Sequence, residues 1–294
     1  MTDLPAYLKP GTTGGYAWHR MLVAIARCGP MPDPVAKRYY GLSRGHLDAL
    51  VQAGRLMPPR YLDLTSRMRM AFRVGGPLPP TVRCYAASLR ILRRLETMGD
   101  IEAYMPVTGQ RPTEHHLRLL AAYLHADRAR AVRKSWLCES EVAARWVRVQ
   151  FPDRSPHARW SRKGAGRLPR LPDAAFREDG RWIALEVHNE DRGTPMRHPA
   201  IAAKRRDILG DAYRGWFDEF RVLTLRGQVV RYHRDGSHSV EDPHPGPGRP
   251  PDGVLPYYRW SGIIPSRELG PRADLSPDDQ ALMDGLGLAP QEEG

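Results

Sequence analysis

The chain has 294 residues, 41% of them hydrophobic, enough material for one large domain or two modest ones, each with its own core. Its 45 Lys and Arg against 33 Asp and Glu give a formal charge of +12 and a pI near 9.9, which points to a polyanionic partner, with nucleic acid first in line. No apolar run approaches a membrane span and the opening MTDLPAYLKPGTTGG has no signal-peptide core, so a membrane partner is set aside and a cytoplasmic location is expected. Cys28, Cys84 and Cys138 lie far apart without a CxxC pair, which argues against a disulfide framework and a zinc site.

From Ala17, the spacing of Met21, Ile25 and Ala26 predicts a first helix closed by Gly29 and Pro30. A short second helix would hold Val35 and Tyr39. Ser43 is a natural N-cap for a third, with Leu47, Leu50 and Val51 inward and Gly54 as its stop. RLMPPRYLDL then reads as a small hairpin, and the whole as a winged helix-turn-helix. On its third helix Arg44, His46, Asp48 and Gln52 would face a major groove. A plain three-helix bundle with a solvated face is the competing reading. In LTSRMRMAFRV, the even spacing of Arg67, Arg69 and Arg73 predicts one face of a strand or wing, suited to tracking phosphates. TVRCYAASLRILRRLETMGD is expected to be a longer helix burying Tyr85, Leu89, Leu92 and Met98, with Arg90, Arg93 and Arg94 beside them as a second DNA contact or a dimer contact. TEHHLRLLAAYLHADRARAV opens with Thr113 as N-cap, and its adjacent His115 and His116 point different ways.

In KSWLCESEVAARWVRV, helical spacing places Glu139 in an apolar stripe of Trp136, Val142, Ala143 and Trp146, while Glu141 is expected to meet Arg145 and Arg148 at the surface. A carboxylate on an apolar face is costly unless paired or ligated. Further on, Asp179-Gly180 is a strong two-residue turn signal, because both central positions of a type I′ turn need positive φ. That turn pairs Phe176 with Ile183, Ala174 with Leu185 and Asp173 with Glu186. Two like charges side by side call for a cation between them, and oxygen ligands favour Mg²⁺ or Mn²⁺. A polar outer face, or a salt bridge from Glu139 to an arginine, would also account for these acids. After a helix in which Lys204 shares a face with Ile201 and Ile208, FRVLTL and VVRYHR read as further strands.

Pro172-Asp173, Glu186-Val187-His188 and an upstream helical Glu139 resemble the PD-(D/E)xK nuclease superfamily. The order of LTSRMRM, EHHLRLLAAYL, Trp136-x-x-Glu139, Pro172-Asp173-Ala174, Leu185-Glu186-Val187 and Arg192-Gly193-Thr194, over residues 20 to 235, is similar to the replication-relaxation family of bacterial and plasmid proteins. The resemblance implies an α/β (α+β) chain with a winged-helix module over 1–110 and a nuclease-like mixed-sheet domain over 111–240. It also implies Asp173 and Glu186 as ligands of Mg²⁺ or Mn²⁺, Glu139 as an auxiliary ligand, and endonuclease or nickase activity on duplex DNA in plasmid or mobile-element replication. Where the superfamily has a lysine two residues after the Glu, this chain has His188, so the role falls to His188 or to a migrated Lys204. The alternative is a DNA-binding regulator with a degenerate nuclease fold. RNA ranks behind DNA, with five Phe and no RNP-like strand. Residues 241–294 read as a Pro/Gly-rich linker and a tail with two basic and seven acidic residues from Ser266, so residues 1–265 carry +17. The tail is expected to weaken DNA binding in cis, and a homodimer is left open.

Overall fold

The computed structural model describes residues 4–65, 69, 78–104, 112–128, 135–150, 169–188, 198–224 and 229–241; the linker and acidic tail from 242, and Arg67 and Arg73, lie outside them. The chain is a mixed α/β protein whose described residues fall into two compact units, 4–100 with 112–117, and 101–104 with 118–241.

In the first unit, α1 (Thr13–Cys28) starts where the Thr12 side chain accepts from the Gly15 N–H at 3.0 Å. It can begin there because positions 14 and 15 are glycines. A Cβ at Gly14 would meet the Tyr7 carbonyl oxygen at 2.3 Å, and one at Gly15 the Lys9 carbonyl oxygen at 2.1 Å. The helix buries Met21, Leu22, Ala24, Ile25 and Cys28 and ends at Gly29, φ 96°. Strand β1 (Met31–Pro32) leads into α2 (Asp33–Tyr40), and α2 stops at Gly41 in the left-handed region. Helix α3 (Arg44–Gln52) has a reciprocal cap, in which Ser43 accepts from the His46 N–H while His46 Nδ1 accepts from the Ser43 N–H. Leu47 and Leu50 are fully buried, a gain of roughly 2 kcal/mol each.

RLMPPRYLDL is not a hairpin by itself. It supplies one strand, β2 (Arg60–Asp63), whose antiparallel partner is β3 (Thr81–Tyr85), and the sheet order is β1-β3-β2. The expected long helix from Thr81 is therefore corrected. TVRCY alternates, burying Val82 and Cys84, and helix α4 (Leu89–Met98) begins only after Ser88. Ile91, Leu92 and Leu95 form its buried stripe, whereas Leu89 and Met98 are exposed and Tyr85 is buried from the strand.

Thr113 caps α5 (Glu114–Arg128), accepting from the His116 N–H at 3.3 Å. The second unit is built on a six-stranded sheet of order β4-β5-β6-β7-β8-β9, namely Leu137–Cys138, Ala174–Glu178, Arg181–Val187, Glu219–Leu223, Val229–His233 and His238–Glu241. Every neighbouring pair is antiparallel except β6 and β7, which are parallel and joined through α7 (Pro199–Leu209). One face packs Ala175, Ala184, Phe220, Val222, Val230 and Tyr232 against Val142 of α6 (Glu139–Gln150) and Ile201 and Ile208 of α7. On the other face Phe176 stacks on Trp136, centroids 5.7 Å apart, and Trp136 meets Tyr123 edge-on. Both faces of the hairpin are thus buried, so a register slip by one residue would carry Glu186 from the α7 side to the layer of Phe176 and Trp136.

Candidate functional site

Asp179 (φ 48°) and Gly180 (φ 80°) make the turn between β5 and β6, and the register pairs Phe176 with Ile183 and Ala174 with Leu185. Asp173 lies one residue before β5. Its Oδ2 accepts from the Val187 N–H at 2.7 Å and its carbonyl from the Glu139 N–H at 3.1 Å, so this residue fastens the end of β6 and the start of α6 together. Glu186, on the Ala184 side of β6, points to the layer of α7.

Lys204, one turn along α7 from Ile201, projects from the same helix and places its Nζ 2.5 Å from Glu186 Oε2 and 3.9 Å from Asp173 Oδ1. Burial lowers the Lys204 pKa, but the charges of Asp173, Glu186 and Glu139 outweigh it and hold the ammonium above the ordinary lysine value. Glu139 is half-buried in the first turn of α6, where the helix dipole favours a carboxylate. Its charge also reaches Tyr213, whose phenol is raised chiefly by burial, then by Asp207 and Glu139. Glu139, Asp173, Glu186 and Lys204 therefore lie together at one end of the sheet.

The roles expected for Glu139 and Glu141 change. Trp136 precedes α6, and the short strand β4 intervenes, so Glu139 opens the helix and does not sit within an apolar stripe. Glu141 is the fully buried acid, accepting from the Cys138 N–H at 2.9 Å and the Glu102 N–H at 3.0 Å. Arg145 and Arg148 bind Glu102 instead. His188 follows β6 and is buried; its N–H donates to the Leu223 carbonyl at 2.9 Å and its ring lies edge-on to His198, 4.9 Å between centroids. A residue not anticipated from sequence, the buried Arg118, donates to the carbonyls of His188 (2.6 Å), Leu223 (3.3 Å) and Thr224 (2.6 Å), tying together the ends of the parallel strands β6 and β7. Its only sequence signal is a cation interrupting the apolar run LRLLAAYL.

In the first unit, the predicted groove-facing residues are largely engaged. Arg44 makes two hydrogen bonds to Asp33 Oδ2, at 3.0 and 2.7 Å. His46 completes the α3 cap and stacks on Tyr7, centroids 4.9 Å apart. Asp48, 42% exposed, accepts from Arg83 at 2.8 Å and from the Tyr85 hydroxyl at 2.9 Å. Gln52 is exposed at the end of α3. Arg69 belongs to a helical turn and not to a strand row; its N–H donates to the Thr65 carbonyl at 3.0 Å and its Nε to the Leu78 carbonyl at 2.9 Å.

No family model, curated protein or solved structure matches the chain. Among the described residues, no helix is long and apolar enough to cross a membrane.

Proposed function

We propose that this chain is a DNA-binding protein with a metal-dependent endonuclease or nickase site of the PD-(D/E)xK kind, in which Lys204 takes the position of the lysine that His188 replaces. The observation that carries this reading is the approach of Lys204 Nζ to Glu186 and Asp173, from the helix that follows the acid-bearing strand. The first unit is read as a winged helix-turn-helix on its order α1-β1-α2-α3-β2-β3 and its basic charge. Plasmid or mobile-element replication is the setting that the motif order suggests.

The donor set suits a hard divalent cation, because carboxylate oxygens converge where the Lys204 ammonium already stands between Asp173 and Glu186. Among the described residues no three His, Cys, Asp or Glu side chains enclose a metal. Mg²⁺, which keeps several waters and takes phosphate oxygens, needs only one or two protein carboxylates. Asp173 and Glu186 would hold Mg²⁺ or Mn²⁺, with Glu139 as auxiliary. When bound, the ion lowers the pKa of an attacking water and offsets charge building on the phosphate. Lys204 remains protonated at neutral pH and presents its ammonium to the phosphate, while Asp173 holds the end of β6 in place.

Incubating supercoiled plasmid and linear duplex with wild type, Glu186→Ala and Lys204→Ala, in Mg²⁺, Mn²⁺ or chelator, tests this. Metal-dependent nicking that both substitutions abolish is the expected result. A retained gel shift with no cleavage in any metal would instead support a regulator of replication or transcription. That second reading draws on the hydrogen bond by which Lys204 already engages Glu186 Oε2.

A further inference from the structure

The segment that delivers Asp173 to the sheet, Arg170-Leu171-Pro172, is held by two residues outside the acid cluster. The Arg170 N–H donates to Asp207 Oδ2 at 3.0 Å, and Arg170 Nη1 donates to the same oxygen at 3.3 Å. From the other side, the Tyr213 hydroxyl donates to the Arg170 carbonyl at 3.2 Å. Both backbone groups of one residue are thus taken by side chains, in a stretch with no helix or strand of its own. As a surface ion pair Arg170 and Asp207 would contribute little, with their side chains 44% and 29% exposed. The bonds to the main chain are what set this contact apart.

The two residues between Arg170 and Asp173 are poor hinges. Leu171 packs against the apolar core, and Pro172 is buried with its φ fixed by its ring, so a shift at Arg170 passes on to Asp173. Asp207 lies three residues beyond Lys204 on α7 and so on the same flank. One helix therefore carries both the ammonium that stands 3.9 Å from Asp173 Oδ1 and the carboxylate that fixes the backbone leading to Asp173. Tyr213, 3% exposed, ends the 3₁₀ turn Asp211–Tyr213, and the Ala212 carbonyl of that turn accepts from Trp146 Nε1 of α6 at 2.8 Å. The grip on Arg170 is thereby tied to α6, the helix that Glu139 opens.

We infer that Asp207 and Tyr213 are positioning residues of the acid cluster, which fix the place of the Asp173 carboxylate through the backbone of Arg170 and so set how tightly Asp173 and Glu186 take up Mg²⁺. The inference rests on the reading of these acids as ligands of a divalent cation. A carboxylate already held in place loses less freedom when the ion arrives, which is how groups outside the ligand set tune affinity.

The test is the melting midpoint of the full chain, followed by circular dichroism in chelator and across millimolar Mg²⁺. Wild type is compared with Asp207→Ala, Asp207→Asn and Tyr213→Phe, and with Asp218→Ala as a matched control. Asp218 Oδ2 accepts from the Trp182 N–H at 2.9 Å, a carboxylate-to-backbone bond of the same kind at the opposite end of β6. Asp207→Ala is expected to need about tenfold more Mg²⁺ than wild type for the same rise in midpoint. Tyr213→Phe, which loses one donor, needs about threefold more. Asp207→Asn recovers most of the response, because its amide oxygen still accepts from the Arg170 N–H. Asp218→Ala melts lower in chelator but responds to Mg²⁺ as wild type does. If Asp207→Ala does not fold, Tyr213→Phe decides. Variants at Asp207 and Tyr213 that melt lower in chelator yet match the wild-type Mg²⁺ response overturn the positioning role and leave the metal site standing. So does an equal loss of response in Asp218→Ala. Wild type with no rise in Mg²⁺ overturns the metal reading and the positioning role with it.

Discussion

The six-stranded sheet carries two clusters of charge, one on each face, and they are balanced differently. On the face lined by Phe176, the fully buried Arg221 binds Glu219 and Glu178, and Arg231 reaches Glu219 at 3.6 Å, so two cations meet two anions. On the face toward α7, the Lys204 ammonium lies 2.5 Å from Glu186 and 3.9 Å from Asp173, and the charge of Glu139 also reaches it. In the first set Arg221 and Glu219 are almost wholly buried, where opposite charges must meet to persist. The second is partly open to water, with the Lys204 side chain 23% exposed. Acids brought near one another by strand register and a helix start repel, and a cation placed among them relieves that repulsion.

The largest effect is expected on the face of Arg221. Arg221→Met leaves Glu219, 2% exposed, without its closest cation, and breaking a buried pair by removing one partner costs about 3–5 kcal/mol. Thermal denaturation followed by circular dichroism should show the midpoint falling by about 10 °C or more. Adding Glu219→Leu to Arg221→Met should recover much of the loss, since an apolar replacement of both partners leaves no orphaned charge. If the single variant melts like wild type, the buried cluster is not what holds this face together.

Lys204→Met probes the other face, with a smaller loss of about 1–2 kcal/mol because the site is partly open to water. Asp173 and Glu186 then lose the ammonium beside them, so millimolar Mg²⁺ should raise the midpoint of this variant more than that of wild type, by mass action. It should do nothing comparable for Arg221→Met. The pH dependence adds a second reading. Because the folded Lys204 pKa lies above its unfolded value, its contribution is complete below the ordinary lysine pKa and disappears as pH rises through the folded one. Wild type should therefore lose stability on the alkaline side of about pH 10, and Lys204→Met should lose less there. Equal alkaline slopes in the two proteins would show that Lys204 does not hold the acids together.

The two faces were not equally legible in the sequence. Asp179-Gly180 fixed the hairpin register because two left-handed residues admit one turn geometry, and Lys204 could be assigned to the face of Ile201 because helical periodicity is local. Arg221 could not be read as a buried cation, since Glu178 lies 43 residues away in the chain and only folding brings them together. Glu139 and Glu141 exchange surroundings because the two-residue strand Leu137–Cys138, too short to show a period, holds Trp136 outside the helix that Glu139 opens. The same competition misassigned TVRCY, where Val82 and Cys84 alternate for only five residues before the Ser88 that marks the true start of α4. In the first unit the helices were legible from their caps, whereas the engagement of Arg44, His46 and Asp48 was not, because Asp33, Tyr7 and Arg83 come from other elements.

The smallest effect separates turn from packing as the source of the acids' alignment. No atom lies within 4 Å of a Cβ placed on Gly180, so Gly180→Ala meets no steric obstacle and is penalised only for its φ of 80°. Forcing an alanine into that region costs about 1 kcal/mol, a fall of about 2–4 °C in the midpoint. The register itself should hold, because Ala175 and Ala184 on one face and Phe176 and Ile183 on the other are all fully buried, and a slip by one residue would exchange them for charge. Asp173 and Glu186 then stay where they are, and Gly180→Ala should show the same rise in midpoint on adding Mg²⁺ as wild type. A variant that melts only slightly lower yet no longer responds to Mg²⁺ would assign the alignment of Asp173 and Glu186 to the turn, and the buried faces would be following it.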